Sequence, residues 1–190
     1  MEILLGVNRT RKTQTRTPEK QAEQINTNLK ISENQPNQAS LRSIDPRGKV
    51  VAISISKKKG IPKTNVPSAK LIENYGIEGD IHAGDWHRQV SFLALESIDV
   101  MRKKGLSRLR PGAFAENITT EFIELPKLEI GTRIKIGKEA ILEITQIGKE
   151  CHSKCAIFVK AGDCIMPREG IFAKVIRGGE IFEGDRIEIM

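Results

Sequence analysis

The chain's three cysteines stand within one stretch of 14 residues, at positions 151, 155 and 164. An odd number of thiols spaced so closely does not form a disulfide scaffold, so their clustering points to chemistry. Cations near a thiol stabilise the thiolate, which is the form that attacks sulfur or carbon and binds soft metals. Cys151 has such neighbours in Lys149, His152 and Lys154. If a helix begins after Cys151, Cys155 lies one turn further along the same face.

Two other interpretations of the cysteine stretch stay open. Three thiols and a histidine supply enough donors for zinc, although the C-x3-C-x8-C spacing matches no common zinc motif. Cysteines also serve as small apolar core residues. Cys164, which precedes Ile165 and Met166, is the thiol expected to face inward.

A second cluster lies in residues 76–91, which contain three glycines, two histidines, Arg88 and the chain's single tryptophan, Trp86. The backbone N–H groups of a glycine-rich loop, together with a cation, suit a phosphate or another anion. Glycine and aspartate in this loop are equally compatible with ordinary turns.

Two further segments carry polar groups beside predicted turns. Asn117, Thr119 and Thr120 supply donors and acceptors at a strand end, although turn formation explains them nearly as well. Arg168 lies between Pro167 and Gly170, where it either meets an anion or pairs with a nearby acid.

The elements that must position these groups are predicted to be mainly short strands. From Lys49 onward, β-branched residues alternate with polar ones and glycines interrupt the pattern, which is typical of a barrel or sandwich. Segments 128–136 and 181–189 resemble each other and are interpreted as two similar corners of one barrel. Helices are predicted over Leu95–Lys104, ended by Gly105, and over His152–Ala161, ended by Gly162. The clearest strands are predicted at 51–56, 132–136, 141–145 and 186–189.

Composition limits the class of protein. The 190 residues are 38% hydrophobic and 29% charged, which excludes collagen-like, mucin-like and wholly disordered classes. Residues 1–48 are polar and are predicted to be a disordered extension of a domain over 49–190. No apolar run approaches the length of a membrane span, and the first residues do not form a secretory signal, so a cytoplasmic protein without a membrane partner is expected. The net charge of +7 is spread and aromatics are scarce, which disfavours nucleic acid and favours small anions.

The order of the motifs resembles that of MOSC domains, which are similar to the C-terminal part of molybdenum-cofactor sulfurase. The resemblance covers about residues 49–190, and its C-terminal motifs resemble the small stand-alone bacterial members. A common Pro-Gly-Asp-Phe-Gly-Glu-Asn pattern of the family has alanine at Ala113 and Ala115 in this chain. The motifs are Gly-Ile-Glu-Gly-Asp with His-Ala-Gly (76–84), Arg-Gln-Val-Ser (88–91), Pro-Gly-x-Phe-x-Glu-Asn-Ile-Thr-Thr-Glu (111–121), Gly-Thr-Arg-Ile-Lys-Ile-Gly (131–137), Gly-Lys-Glu-Cys (148–151), Met-Pro-Arg-Glu-Gly-Ile-Phe-Ala (166–173) and Gly-Gly-Glu-Ile-Phe-Glu-Gly-Asp (178–185).

The resemblance implies a twisted, mainly β barrel and a cysteine that carries sulfur as a persulfide or ligates the molybdenum of a pterin cofactor. Cys151 matches that cysteine best and is the implied metal ligand, with Cys155 as the rival. The implied partners are the pterin cofactor, molybdopterin, or a sulfur-donor protein, and a recipient molybdoenzyme. No pyridoxal phosphate domain is expected in this chain. The implied cofactor-binding residues are His82, Gly84, Arg88, Asn117 and Thr119.

Three functions are therefore expected as alternatives. The first is a molybdenum-cofactor-binding or sulfur-carrier protein that works through Cys151. The second, also implied by the resemblance, is a molybdenum oxidoreductase that reduces N-hydroxylated compounds. The third is a non-catalytic anion-binding module in which the cysteines are structural.

Overall fold

The computed structural model describes residues 48–150 and 156–190. Strands dominate these residues, as the alternation of β-branched and polar side chains predicts. The strands are β1 (Gly48–Ile55), β2 (Thr64–Val66), β3 (Ser68–Ile72), β4 (Gly76–Ile77), β5 (Val90–Ala94), β6 (Ile118–Glu121), β7 (Arg133–Ile136), β8 (Ala140–Ile147), β9 (Ile171–Arg177), β10 (Gly179–Phe182) and β11 (Arg186–Ile189).

The described α-helices are short: α1 (Leu95–Lys103), α2 (Ala156–Ala161) and α3 (Met166–Glu169), with a 3-10 turn at Leu125–Lys127. α1 buries Ile98 and Met101. It ends at Gly105, which has φ +98°, while the Leu106 N–H donates back to the Met101 carbonyl. The predictions for this helix and its terminator are confirmed. Gly162, with φ +68°, ends α2 as predicted, while positions 152–155 of that predicted helix lie outside the described residues.

Seven strands close into a mixed barrel in the order β11-β7-β8-β9-β5-β6-β1, with β1 returning to β11. The β5–β6 pair is parallel and the other pairs are antiparallel. The register of β1 against β6 shifts between Val50 and Ala52. Its first residues pair with β11 and its last residues pair with β2. The predicted mainly β barrel is confirmed.

The two similar segments lie beside each other. β7 and β11 pair antiparallel, with Ile187 opposite Ile136. The glycine before each strand has the same left-handed conformation, with φ +91° at Gly131 and +92° at Gly184. The resemblance between segments 128–136 and 181–189 therefore marks two adjacent strands and the turn that leads into each.

Apolar side chains fill the barrel, and a second cluster packs outside it. The barrel interior includes Ile53, Phe92 and Ile144, all fully buried. The outer cluster joins α1 to α3 and contains Cys164, which is 6% exposed, so the expectation that this thiol faces inward is confirmed. The predicted N-terminal extension lies outside the described residues, apart from Gly48. No described helix is long and apolar enough to cross a membrane.

Candidate anion-binding cleft

A cleft opens at one end of the barrel, where the loop before β5 faces the loop before β6. α3 and the start of β9 complete its wall. Its volume is about 70 Å³, several times the roughly 10–15 Å³ that holds one water molecule. This space suits a small oxyanion. The lining residues are His82, Trp86, Arg88, Ser91, Phe114, Ala115, Asn117, Lys149, Met166 and Phe172.

Arg88 is the most distinctive group of the cleft. Its guanidinium carbon lies 4.9 Å from the Trp86 ring centroid and 5.8 Å from that of Phe172, so two aromatic faces hold the cation. Its Nε is buried and donates to no acceptor in the described part of the chain. A buried guanidinium donor without an acceptor is costly, and an oxyanion entering the cleft would satisfy it.

The lining of the cleft is positively charged. Lys149 joins Arg88 there, and among the described residues no aspartate or glutamate lines the cleft. The His82 side chain is 29% exposed, and its Nδ1 lies 3.4 Å from an Asp80 oxygen. Two cations without a lining carboxylate favour an anion over a metal cation. Across residues 48–150 and 156–190, no three His, Cys, Asp or Glu side chains gather to hold a metal ion.

Asn117 braces the floor of the cleft. Its Oδ1 accepts hydrogen bonds from the Ser91 N–H at 3.2 Å and the Ser91 hydroxyl at 3.0 Å. Its Nδ2 donates to the Ser54 carbonyl at 3.1 Å. The side chain thereby ties β5, β6 and β1 together, and the described contacts use one of its two Nδ2 hydrogens.

A buried ion pair lies behind His82, which lines the cleft. Lys63 Nζ is 2.7 Å from both carboxylate oxygens of Asp80, and each side chain is 1% exposed. Burial would raise the pKa of Asp80, but hydrogen bonds from His82 and Lys63 and the lysine charge outweigh it and hold that pKa well below its usual range. Burial lowers the pKa of Lys63, and the hydrogen bond and charge of Asp80 oppose that change.

Glu116 anchors the loop on the opposite wall. Its carboxylate accepts hydrogen bonds from the Gly112 N–H at 2.6 Å, the Phe114 N–H at 3.0 Å and the Thr119 hydroxyl at 3.1 Å. Complete burial raises its pKa, against the effect of these hydrogen bonds. Between these anchored residues Ala115 has φ +62°, the left-handed region that favours glycine. The backbone thus adopts here the conformation that a glycine would adopt without strain.

The predicted cofactor-binding residues divide into two groups. His82, Arg88 and Asn117 come together in the cleft. Gly84 lines an adjoining cavity of about 280 Å³, which shares His82 and Trp86 with the cleft. Thr119 is fully buried and binds Glu116, so it does not line the cleft.

The two predicted catalytic cysteines, Cys151 and Cys155, lie outside the described residues, and so does the predicted metal ligand, since it is Cys151. Lys149, two residues before Cys151 in the sequence, lines the cleft. Of the two roles predicted for Arg168, an anion contact or an ion pair with a nearby acid, the structure shows the ion pair. Arg168 donates to Asp163 through two hydrogen bonds of 3.0 and 3.1 Å.

Several residues of the cleft were not among the predicted site residues. Met166 and Phe172 look like ordinary core positions in sequence, and the structure places them against Arg88 and its neighbours.

Lys63, which lies behind the cleft, was also not predicted. It carries no local signal, because its partner Asp80 lies 17 positions away and lysine is rarely buried. In the sequence, only the Gly-Ile-Glu-Gly-Asp motif that ends in Asp80 pointed to this pair.

Comparisons with known proteins agree with the fold. A family model described as the MOSC domain matches residues 78–188. YuaD from Bacillus subtilis is similar in structure, with 21% identity and a TM-score of 0.65 over 75% of this chain and 95% of that chain. YiiM from Geobacillus stearothermophilus has 19% identity and a TM-score of 0.59 over 75% of each chain. YiiM from Escherichia coli has 17% identity and a TM-score of 0.57 over 76% of this chain and 69% of that chain. The comparison with curated proteins gave no match.

Proposed function

The chain belongs to the MOSC family of molybdenum-cofactor-related domains, and we propose that its cleft binds the anionic end of a molybdenum cofactor while Cys151 supplies a thiolate. The observation that carries this proposal is Arg88, with a buried Nε donor that has no acceptor in the described part of the chain. It lies in a cleft whose described lining holds a second cation and no carboxylate.

The cleft fits a phosphate group better than a whole pterin. Its volume of about 70 Å³ accommodates a tetrahedral oxyanion, and a fused ring must lie outside it. Arg88 is the donor for the oxyanion, Lys149 adds charge, and the remaining Nδ2 hydrogen of Asn117 completes the set. The cavity lined by Gly84 adjoins the cleft and shares Trp86 with it.

The role of Cys151 rests on the family resemblance and on its place in the chain. Two residues span at most about 7 Å of extended backbone, so a thiol at position 151 is tethered close to Lys149 in the cleft wall. Molybdenum, when bound, would supply a redox-active centre that accepts a soft thiolate ligand. As a sulfur carrier, the Cys151 thiolate attacks the outer sulfur of a donor persulfide and the donor's thiolate leaves.

The test is molybdenum and pterin analysis of protein purified from a molybdate-fed host, with a persulfide assay on the same protein. We expect molybdenum and pterin in the wild type, a loss of molybdenum or of persulfide in Cys151→Ser, and a partial loss in Cys155→Ser. Cys164→Ser is the matched control, because that thiol is buried in the outer cluster and its change affects folding instead of loading.

The outcomes separate the three functions. Turnover of hydroxylamine-type substrates with a reductant would make the protein an oxidoreductase. Loading that survives in all three single cysteine variants would overturn both thiolate roles and leave an anion-binding module. Full loading of Cys151→Ser with loss in Cys155→Ser would move the role to Cys155.

A further inference from the structure

The Lys63–Asp80 pair is hard to explain by stability alone. Both side chains are 1% exposed, and each charge has lost its hydration. Replacing a buried ion pair by well-packed hydrophobic residues of similar volume is often neutral or stabilising, because desolvation offsets the attraction. Fold stability therefore gives little reason for this pair, and its contacts suggest another role.

Asp80 uses its remaining hydrogen-bonding capacity on the backbone. Its Oδ2 accepts from the Ser56 N–H at 2.9 Å, just beyond β1, and its Oδ1 accepts from the His82 N–H at 3.0 Å. Lys63 fixes the orientation of the carboxylate by donating to both oxygens. The direction of the backbone at His82 is thus set by a buried side chain.

From His82 the contacts lead to the anion-binding residue. The His82 carbonyl accepts a hydrogen bond from Trp86 Nε1 at 2.8 Å. The Trp86 ring then lies against the Arg88 guanidinium, 4.9 Å from its carbon. A shift of His82 changes the angle of the indole, and the indole is one of the two faces that hold Arg88 in place.

The same lysine also fixes the opposite wall. The Lys63 N–H donates to the Gly112 carbonyl at 2.8 Å, and Gly112 begins the loop that Glu116 anchors. A side chain on Gly112 would place its Cβ 2.7 Å from the Lys63 carbonyl, so the two segments pack directly. The backbone of Lys63 therefore contacts one wall of the cleft, and its side chain acts on the other wall through Asp80. A substitution of the side chain leaves the backbone contact in place.

We propose that Lys63 and Asp80 are positioning residues for the cleft and act on Arg88 through His82 and Trp86. This inference rests on the proposed anion-binding function. It adds to that function a pair of residues that touch no ligand yet set the affinity.

The test uses the full chain and inorganic phosphate as the probe, measured by calorimetric titration. The variant Lys63→Met/Asp80→Asn removes both charges without changing the net charge, so long-range attraction of phosphate is preserved. We expect phosphate affinity to fall by about tenfold or more, which corresponds to about 1.4 kcal/mol. The exposed pair Lys127 and Glu124 gives the matched control, Lys127→Met/Glu124→Gln, which we expect to leave affinity unchanged.

A second variant follows the same path without touching the buried pair. Trp86→Phe keeps an aromatic face for Arg88 but removes the indole donor to the His82 carbonyl. We expect an affinity loss of about threefold to tenfold in the wild-type background and a smaller loss when Lys63→Met/Asp80→Asn is already present. Fully additive losses would overturn the proposed path through His82 and Trp86. Unchanged affinity in Trp86→Phe would overturn it even if Lys63→Met/Asp80→Asn fails to fold.

A measurement without ligand separates this inference from the proposed function. Trp86 is the chain's single tryptophan, so every indole signal in the emission and near-ultraviolet circular dichroism spectra comes from this residue. We expect both to change in folded Lys63→Met/Asp80→Asn. If wild-type protein binds no phosphate, the anion function fails, and an unchanged Trp86 signal would then overturn the positioning role as well. Wild-type binding with unaltered affinity in the folded double variant would overturn the positioning role only.

Discussion

Breaking the buried ion pair from one side should cost far more stability than breaking an exposed pair of similar geometry. Lys63→Met leaves the Asp80 carboxylate buried and without its cation. Arg168→Met removes a bidentate partner from Asp163, where the arginine side chain is 55% exposed and Lys104 still pairs with the carboxylate at 2.7 Å. The two variants delete one cation each and differ chiefly in burial. Asp163 also keeps Lys104, whereas Asp80 has no second lysine or arginine partner among the described residues.

The magnitudes follow from that difference. Removing one partner of a buried pair costs about 3–5 kcal/mol, and the low end applies here because the Ser56 and His82 N–H groups still solvate the Asp80 carboxylate. An exposed pair contributes about 0–1 kcal/mol. With an m-value of about 1–3 kcal/mol/M, Lys63→Met should lower the urea midpoint by about 2 M.

The assay is equilibrium urea unfolding at neutral pH, followed by circular dichroism. Arg168→Met should shift the midpoint by less than about 0.5 M. Equal shifts in the two variants would refute the reasoning, since they would mean that the Lys63–Asp80 pair is as hydrated in solution as a surface pair.

Three further outcomes are expected. The depressed pKa of Asp80 adds stability above about pH 4, and this stability is lost as the pH falls. Urea midpoints measured at successive acidic pH values should therefore fall more steeply for the wild type than for Lys63→Met/Asp80→Asn. Parallel dependence on pH in the two proteins would contradict this. Ala115→Gly relieves a left-handed alanine by about 1 kcal/mol and adds a similar unfolded-state entropy, so thermal melting should show no loss beyond about 1 kcal/mol. Gly148→Ala should cost at least about 3 kcal/mol, because its Cβ would sit 2.1 Å from the Pro167 carbonyl. Gly131→Ala, left-handed but with open space around it, should cost only about 1–2 kcal/mol, and similar losses in both glycine variants would show that the Gly148 contact relaxes freely.

Local patterns predicted the elements of the fold well, and long-range pairing lay beyond them. Alternation located β7, β8 and β11, and a glycine located the end of α1, because each signal lies within a few residues. The closure of β1 onto β11 joins residues near opposite ends of the described chain, and no local pattern encodes that contact. The resemblance between segments 128–136 and 181–189 predicted two similar strands, but it did not predict that these strands pair with each other.

The candidate site divides in the same way. The glycine-rich loop and Asn117 were recognisable because turn-forming and amide residues stand out in sequence. The contact of Arg88 with two aromatic rings was not, since Phe172 comes from a distant strand and resembles any core aromatic. Lys63 was hidden for a stronger reason. A buried lysine depends wholly on a partner that the fold brings to it.

The central claim is that Arg88 makes the cleft an anion site, and a phosphate titration tests it most directly. Arg177→Ala serves as the control, because Arg177 is exposed at the far end of β9 and the substitution makes the same change in net charge. We predict that Arg88→Ala weakens phosphate binding by about tenfold to a hundredfold, from the loss of a charge-assisted hydrogen bond of about 1.5–3 kcal/mol, with the melting temperature nearly unchanged. Equal phosphate affinity in Arg88→Ala, Arg177→Ala and the wild type would contradict the account.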